Sequence, residues 1–234
     1  MDLKDARILI TGGSLGIGKA SAKILADAGA KVAITGRDEE RIKRAAEECN
    51  AFPIVADVSD EKDIERTYEL FLKTFDHLDV LINNAGIGGR FRHIDELTMD
   101  DLQSVFAVNV FGAALMASGA ARLFKEQNYG HIINIGSTSG LKGGNRASVY
   151  SATKFALRSF TQSWQTELRP YNVRVILINP SEVATAFANE QRIERQAPQN
   201  KLRSEEIAYA VKAALQMDNR GFIPEFSVWA TNPW

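Results

Sequence analysis

The chain has 234 residues, 45% of them hydrophobic and 24% charged, the proportions of a globular protein long enough to bury a sizeable core. Its formal net charge of -1 offers no basic surface to nucleic acid, and no polybasic segment addresses a membrane. A single cysteine, Cys49, cannot close an internal disulfide, so a reducing, cytoplasmic setting is expected. No basic leader with an apolar core opens the chain, so no signal peptide is expected, and the apolar run 110–121 is too short to span a bilayer.

Short apolar runs rich in β-branched residues stand at 7–11, 31–35, 53–57, 80–83, 131–136, 174–179 and 222–228. Most lack polar alternation, as expected of strands covered on both faces in a parallel sheet. Helical patterns separate them at 16–28, 38–48, 60–75, 99–127, 150–168 and 204–217. This alternation predicts an α/β fold: a doubly wound, Rossmann-like parallel sheet of about seven strands with helices on both faces. Neither repeats nor a long linker divide it, so residues 1–234 are read as one domain for nucleotide binding and chemistry.

The first strand runs into Thr11-Gly12-Gly13-Ser14-Leu15-Gly16-Ile17-Gly18 and then a helix. Glycines there permit a tight turn and let backbone N–H groups approach a pyrophosphate at a helix N-terminus. Gly12, Ser14, Leu15, Gly16, Ile17 and Gly18 are the candidate phosphate cradle; a ligand-free glycine turn would read the same. The spacing is G-x-x-x-G-x-G, not the common G-x-G-x-x-G. At the end of the second strand no carboxylate awaits a ribose 2′-hydroxyl, and Arg37 follows at once, suited to a 2′-phosphate. NADP(H) is therefore expected over NAD(H), the alternative being that Arg37 pairs with Glu39 or Glu40. Asp38 reads as a helix N-cap.

Asp57 and Val58 close the third strand, where the carboxylate could accept from an adenine amine or cap the next helix. Asn83-Asn84-Ala85-Gly86 ends the fourth, and Asn84, Ala85 and Gly86 suit a backbone-lined ligand crevice or simply a turn. Asn109 interrupts an apolar helical stretch and needs partners for its amide. His77, His93 and His131 have no visible catalytic partner, and without paired histidines or cysteines no metal site is expected. Ser137 lies at the carboxyl end of the fifth strand. Tyr150 and Lys154 stand four apart, on one face of a helix. An ammonium near a phenol favours the phenolate, so a lowered Tyr150 pKa is expected.

Thr11 to Gly18, Asn83 to Gly86, Asn109, Ser137 and Tyr150-Ser151-Ala152-Thr153-Lys154, in this order, resemble the short-chain dehydrogenase/reductase family over nearly the whole chain. The resemblance implies that Tyr150 is the general acid, that Lys154 tunes it and holds the nicotinamide ribose, and that Ser137 donates to the developing alkoxide. It implies that Asn109 anchors a water, and that Pro180, Val183 and Thr185 contact the nicotinamide carboxamide. Members are commonly homodimers or homotetramers joined through two long helices, here 99–127 and 150–168. Where the family usually has Pro-Gly this chain has Pro180-Ser181, so Ser181 is expected to adopt a backbone that glycine would enter more easily.

A substrate lid is expected around 186–203, a mixed-charge stretch with Glu190, Arg192, Glu194, Arg195, Lys201 and Arg203. Its basic members could meet an acidic carrier protein, or form a solvated face. The ending Trp229-Ala230-Thr231-Asn232-Pro233-Trp234 departs from the Gly-Gly-rich ending of the family's acyl-carrier reductases and suggests a subunit contact. The expected activity is hydride transfer between NADP(H) and a small-molecule carbonyl or alcohol. The alternatives are 3-oxoacyl-[acyl-carrier-protein] reduction and a non-catalytic nucleotide sensor.

Overall fold

The computed structural model describes residues 1–188 and 198–233. The strands are β1 (Arg7–Ile10), β2 (Lys31–Gly36), β3 (Phe52–Val55), β4 (Val80–Asn83), β5 (Gly130–Ile135), β6 (Val173–Pro180) and β7 (Glu225–Val228). All pair in parallel, in the order β3-β2-β1-β4-β5-β6-β7. The helices are α1 (Gly16–Asp27), α2 (Glu39–Cys49), α3 (Glu61–Phe75), α4 (Met99–Phe106), α5 (Ala113–Gln127), α6 (Ser148–Leu168) and α7 (Ser204–Gln216).

The unbroken apolar strands are explained by two cores. Ile8, Ile10, Val32, Ile34, Val80 and Ile82 face one side, against Ala22 and Leu25 of α1, Ile42 of α2, and Ile207 and Val211 of α7. Leu9, Ala33 and Leu81 alternate to the other side, against Phe71 of α3 and Met116, Ala120 and Phe124 of α5. Strand side chains alternate faces, so two apolar faces require consecutive apolar residues. Fully burying one such side chain contributes about 1.5–3 kcal/mol.

Three local rules set the ends. Asp38 caps α2, its carboxylate accepting from Arg41 N at 2.9 Å, and Asp60 caps α3 by accepting from Lys62 N at 2.9 Å. Pro53 is tolerated within β3 because that strand is an edge of the sheet. The last strand begins only at Glu225, later than its apolar run suggests. Pro224 has no N–H for the ladder, although its carbonyl still accepts from Leu177 N at 3.0 Å.

The pattern at 99–127 is not one regular α-helix. A π-helical turn, Ala107–Gly112, separates α4 from α5. The combined element is long and apolar enough to cross a membrane by composition, but half of its most apolar stretch is buried. Met116, Ala117, Ala120 and Phe124 lay it on the sheet as a core helix.

The chain winds outward through β1, β2 and β3, then returns to place β4 beside β1. Loops leaving β1 and β4 at their carboxyl ends therefore diverge and open a crevice, the position where doubly wound sheets bind ligands. The architecture is Rossmann-like.

Candidate active site

The crevice holds a cavity of about 500 Å³ that runs from the β1–α1 turn to Tyr150 and Phe187. Its floor is the glycine loop. Gly12 has φ +65°, and a Cβ there would stand 2.8 Å from Ala85 Cα. A Cβ on Gly18 would run into the Gly12 carbonyl, so α1 could not approach the turn. Asn84 locks the loop by donating to Thr11 O and Gly12 O, both at 2.9 Å, while Thr11 Oγ1 accepts from the Asn84 and Ala85 N–H groups, both at 3.0 Å. The N-cap of α1 is Leu15, whose side chain makes no cap hydrogen bond, and Gly16 and Ile17 at the helix N-terminus line the cavity. A cradle that side chains would fill, facing a helix N-terminus, fits the pyrophosphate of a dinucleotide.

At one end lie Ser14, Thr35, Gly36, Arg37, Asp38, Arg41, Asp57 and Val58. Arg37 Nη1 is 3.5 Å from Asp57 Oδ2, with 61% of the Arg37 side chain exposed. Its neighbour is thus not Glu39, which pairs with Lys43 at 2.6 Å. The Asp57 carboxylate also accepts from Ser59 N at 2.9 Å and Ser59 Oγ at 2.7 Å, so it shapes its own turn rather than capping α3. Arg41, which faces the same pocket and pairs with Asp38 at 3.1 Å, was not distinguished by sequence, since its position on α2 reads as a solvated helix face.

At the other end α6 presents Tyr150 and Lys154, and Ser137 follows β5. Ser137 shares the cavity wall with Tyr150 and acts on its phenol, and its Oγ accepts from Ser139 N at 3.1 Å. Burial pushes the phenol above its ordinary pKa, and the nearby Ser137 hydroxyl pulls it partly back. The lowered Tyr150 pKa expected from the adjacent lysine is therefore not the balance found here. Lys154 Nζ lies 5.8 Å from the ring centroid and donates to Ile135 O at 2.9 Å. Burial lowers the ammonium itself, to about 8.

Of the candidate catalytic and cofactor-binding residues, Asn109 and Gly18 alone do not line the cavity; Pro180, Val183, Thr185, Gly86 and the others do. Asn109 stands behind it in the π-helical turn. Its Oδ1 accepts from Ile87 N at 2.8 Å, and its Nδ2 donates to Ile87 O at 2.9 Å and Thr153 Oγ1 at 3.1 Å. The side chain thus braces the loop after β4 against α6, with both ends of its amide committed to protein. Ser181 departs from expectation: it is not among the residues with positive φ, and its N–H donates to Val228 O at 2.9 Å.

Phe187 closes the substrate side, its ring 5.5 Å from that of Tyr150 at 61°. It lies within the expected lid but carried no local signal, because its position depends on how the chain returns after β6. Lid residues Glu190, Arg192, Glu194 and Arg195 lie outside the described residues, as does Trp234. Of the lid cations that are described, Lys201 pairs with Glu182 at 2.6 Å and Arg203 with Glu206 at 3.3 Å.

The short chain dehydrogenase family model matches residues 6–196. An uncharacterized oxidoreductase of Staphylococcus aureus (strain USA300) is 32% identical, over 97% of each chain. A 3-ketoacyl-(acyl-carrier-protein) reductase from Brucella melitensis, solved with NADH, superimposes with a TM-score of 0.90 at 28% identity, covering 99% of this chain and 100% of that one. An alcohol dehydrogenase from the archaeon Thermococcus sibiricus, solved with 5-hydroxy-NADP, gives 0.89 at 26% identity over 97% of each chain. The glycine cradle, the Ser137–Tyr150–Lys154 cluster and these likenesses agree: the chain belongs to the short-chain dehydrogenases and is an oxidoreductase.

Proposed function

We propose that the protein interconverts a small carbonyl compound and its alcohol using NADP(H), with Tyr150 as general acid and base. The observation that carries this reading is that the half-buried Tyr150 phenol, Ser137 and Lys154 line one cavity with the glycine cradle. When bound, the nicotinamide supplies or accepts the hydride. Every other element of the reaction belongs to the chain.

In the reducing direction, burial keeps Tyr150 protonated at neutral pH, as a proton donor must be. Ser137 Oγ accepts from the Ser139 N–H, which leaves its hydroxyl hydrogen free to donate to the substrate oxygen and stabilise charge developing there. Lys154, titrating near 8, can return a proton to the phenolate without leaving the physiological range. Phe187 gives the substrate site an apolar wall over Tyr150, which suits a small carbonyl with little polar substitution.

Arg37 supports the phosphorylated cofactor: β2 itself ends at Gly36 without a carboxylate, and Arg37 follows it, largely exposed at the Ser14 end of the cavity and 3.5 Å from Asp57. A homodimer or homotetramer completes the proposal. Phe111 and Leu115, at the end of the π-helical turn and the start of α5, are 59% and 41% exposed, and Phe155 of α6 is 42% exposed, as for faces awaiting a second copy.

A second reading, 3-oxoacyl thioester reduction, is favoured by the likeness to the Brucella enzyme. Loss of NADPH and NADH absorbance against ketones, aldehydes, diketones and acyl thioesters separates the two. Faster NADPH turnover on small carbonyls supports the first reading. Turnover confined to thioesters replaces it with the second.

A further inference from the structure

The last rung of the β5–β6 ladder is Gly136 N donating to Ile178 O at 2.7 Å. The next N–H, of Ser137, passes the end of the ladder and finds a side chain, Asn179 Oδ1, at 3.3 Å. Asn179 is 1% exposed, and a side chain on Gly136 would occupy the place of its oxygen. Its Nδ2 donates to Glu225 Oε1 at 2.9 Å. Glu225, the first residue of β7, accepts in turn from Arg158 Nε at 3.0 Å. Arg158 lies on α6, one further step of four beyond Tyr150 and Lys154. The path leaves the tyrosine's helix, crosses β7 and β6 to the serine, and ends at Ser137, which lines one cavity with Tyr150.

The chemistry of each member fixes the orientation of the next. A carboxylate only accepts, so Glu225 obliges Asn179 to turn its NH₂ outward. The amide oxygen then faces Ser137 N–H, which only donates. Without the carboxylate, the amide could flip and set donor against donor. The Arg158–Glu225 pair is partly exposed, with 35% and 23% of the side chains accessible, so it contributes little stability. Its consequence is positional.

We propose that Asn179, oriented by Glu225 and Arg158, is a positioning residue that sets the Ser137 hydroxyl against the Tyr150 phenol. This rests on the assignment of Tyr150 and Ser137 to the reaction. Ser137 pulls the Tyr150 pKa back from the level that burial alone would set, so a displaced Ser137 leaves it higher.

The test is an ultraviolet tyrosinate titration of the NADPH-bound protein, corrected with Tyr150→Phe, alongside kcat for the panel carbonyl reduced fastest. Asn179→Ala is expected to raise the Tyr150 pKa, move the alkaline limb of kcat upward, and lower kcat about tenfold with KM for NADPH within about twofold. Asn179→Asp sets two carboxylates together and should be as slow. Adding Glu225→Gln restores a donor opposite that carboxylate, and should return the double variant to within about twofold of Glu225→Gln alone.

An unchanged Tyr150 titration in Asn179→Ala, or no rescue in the double variant at a wild-type melting temperature, overturns the proposal. Should Asn179→Ala not fold, Arg158→Met reads the same path from its exposed end, and an unmoved titration there overturns it equally. Full activity in Tyr150→Phe would instead defeat the catalytic assignment, and this proposal with it. Loss in Tyr150→Phe with wild-type behaviour in Asn179→Ala removes this proposal alone.

Discussion

Lys154 donates its hydrogen bond to Ile135 O at 2.9 Å, while its Nζ stands 5.8 Å from the centre of the Tyr150 ring. The lysine is held by the end of β5 rather than by the tyrosine. It is 5% exposed, and burial brings its pKa from 10.5 to about 8.

Such a shift corresponds to about 3 kcal/mol of unfavourable burial of the charge. Because the folded-state pKa is lowered, the unfolded chain binds more protons between about 8 and 10.5, and stability rises with pH across that window. Lys154→Met removes the charge and also the donor to Ile135 O, a loss of about 1 kcal/mol. The expected outcome is an inactive protein that is about 2 kcal/mol more stable at pH 7, with the gain shrinking by pH 9.5. Denaturant unfolding at both values measures it; an equal loss of stability at both would contradict the account.

Arg37 meets Asp57 across 3.5 Å at the phosphate end of the cavity. Arg37→Ala removes the cation and leaves the carboxylate to repel a 2′-phosphate. KM for NADPH should rise by about tenfold or more, the scale of one charge-assisted hydrogen bond, with NADH changed by less than about twofold. Equal losses for both cofactors in steady-state kinetics would remove the phosphate assignment.

Phe187 packs edge-on against Tyr150, and its N–H is held by Thr185 Oγ1 at 3.2 Å. Phe187→Ala should widen the substrate side alone. Relative kcat/KM for bulky aryl ketones over small carbonyls should increase about tenfold, the scale of a filled or vacated apolar pocket. An unchanged ratio would mean that Phe187 is not a wall of the substrate site.

His131 has no part in the chemistry but governs acid stability. Buried in β5, it accepts at Nδ1 from Arg174 Nε at 3.1 Å and lies 3.1 Å from Tyr129 Oη. Desolvation, then the adjacent guanidinium, lowers its pKa to about 3. The lowered folded-state value means that stability is full above the unfolded pKa of about 6.5 and falls as pH drops toward 3. Unfolding between pH 7.5 and 5 should therefore lose about 2 kcal/mol more in the native protein than in His131→Gln. Parallel losses would contradict a neutral, buried His131.

Sequence carried the order of elements because strands covered on both faces leave unbroken apolar runs, and the cavity floor because glycine is required where Gly12 and Gly18 meet backbone. Tyr150 and Lys154 were legible as neighbours on one helix face through spacing, and as a site only through the motifs that precede them and the family resemblance. The rest depends on partners remote in the chain. The π-helical turn arises where Asn109 grips Ile87, on a loop of another element. Arg37 finds Asp57 rather than Glu39 or Glu40 because β3 lies beside β2. The rise in the Tyr150 pKa comes from burial, which no local spacing reveals.

The central claim, that Tyr150 moves the proton in an NADP(H)-linked reaction, is tested most directly by NADPH oxidation in the native protein and Tyr150→Phe, with NADPH binding measured in both. The account predicts that Tyr150→Phe binds NADPH within about twofold of the native protein and loses at least about a hundredfold in kcat, the lower scale of general acid catalysis. Turnover in Tyr150→Phe equal to that of the native protein would contradict it.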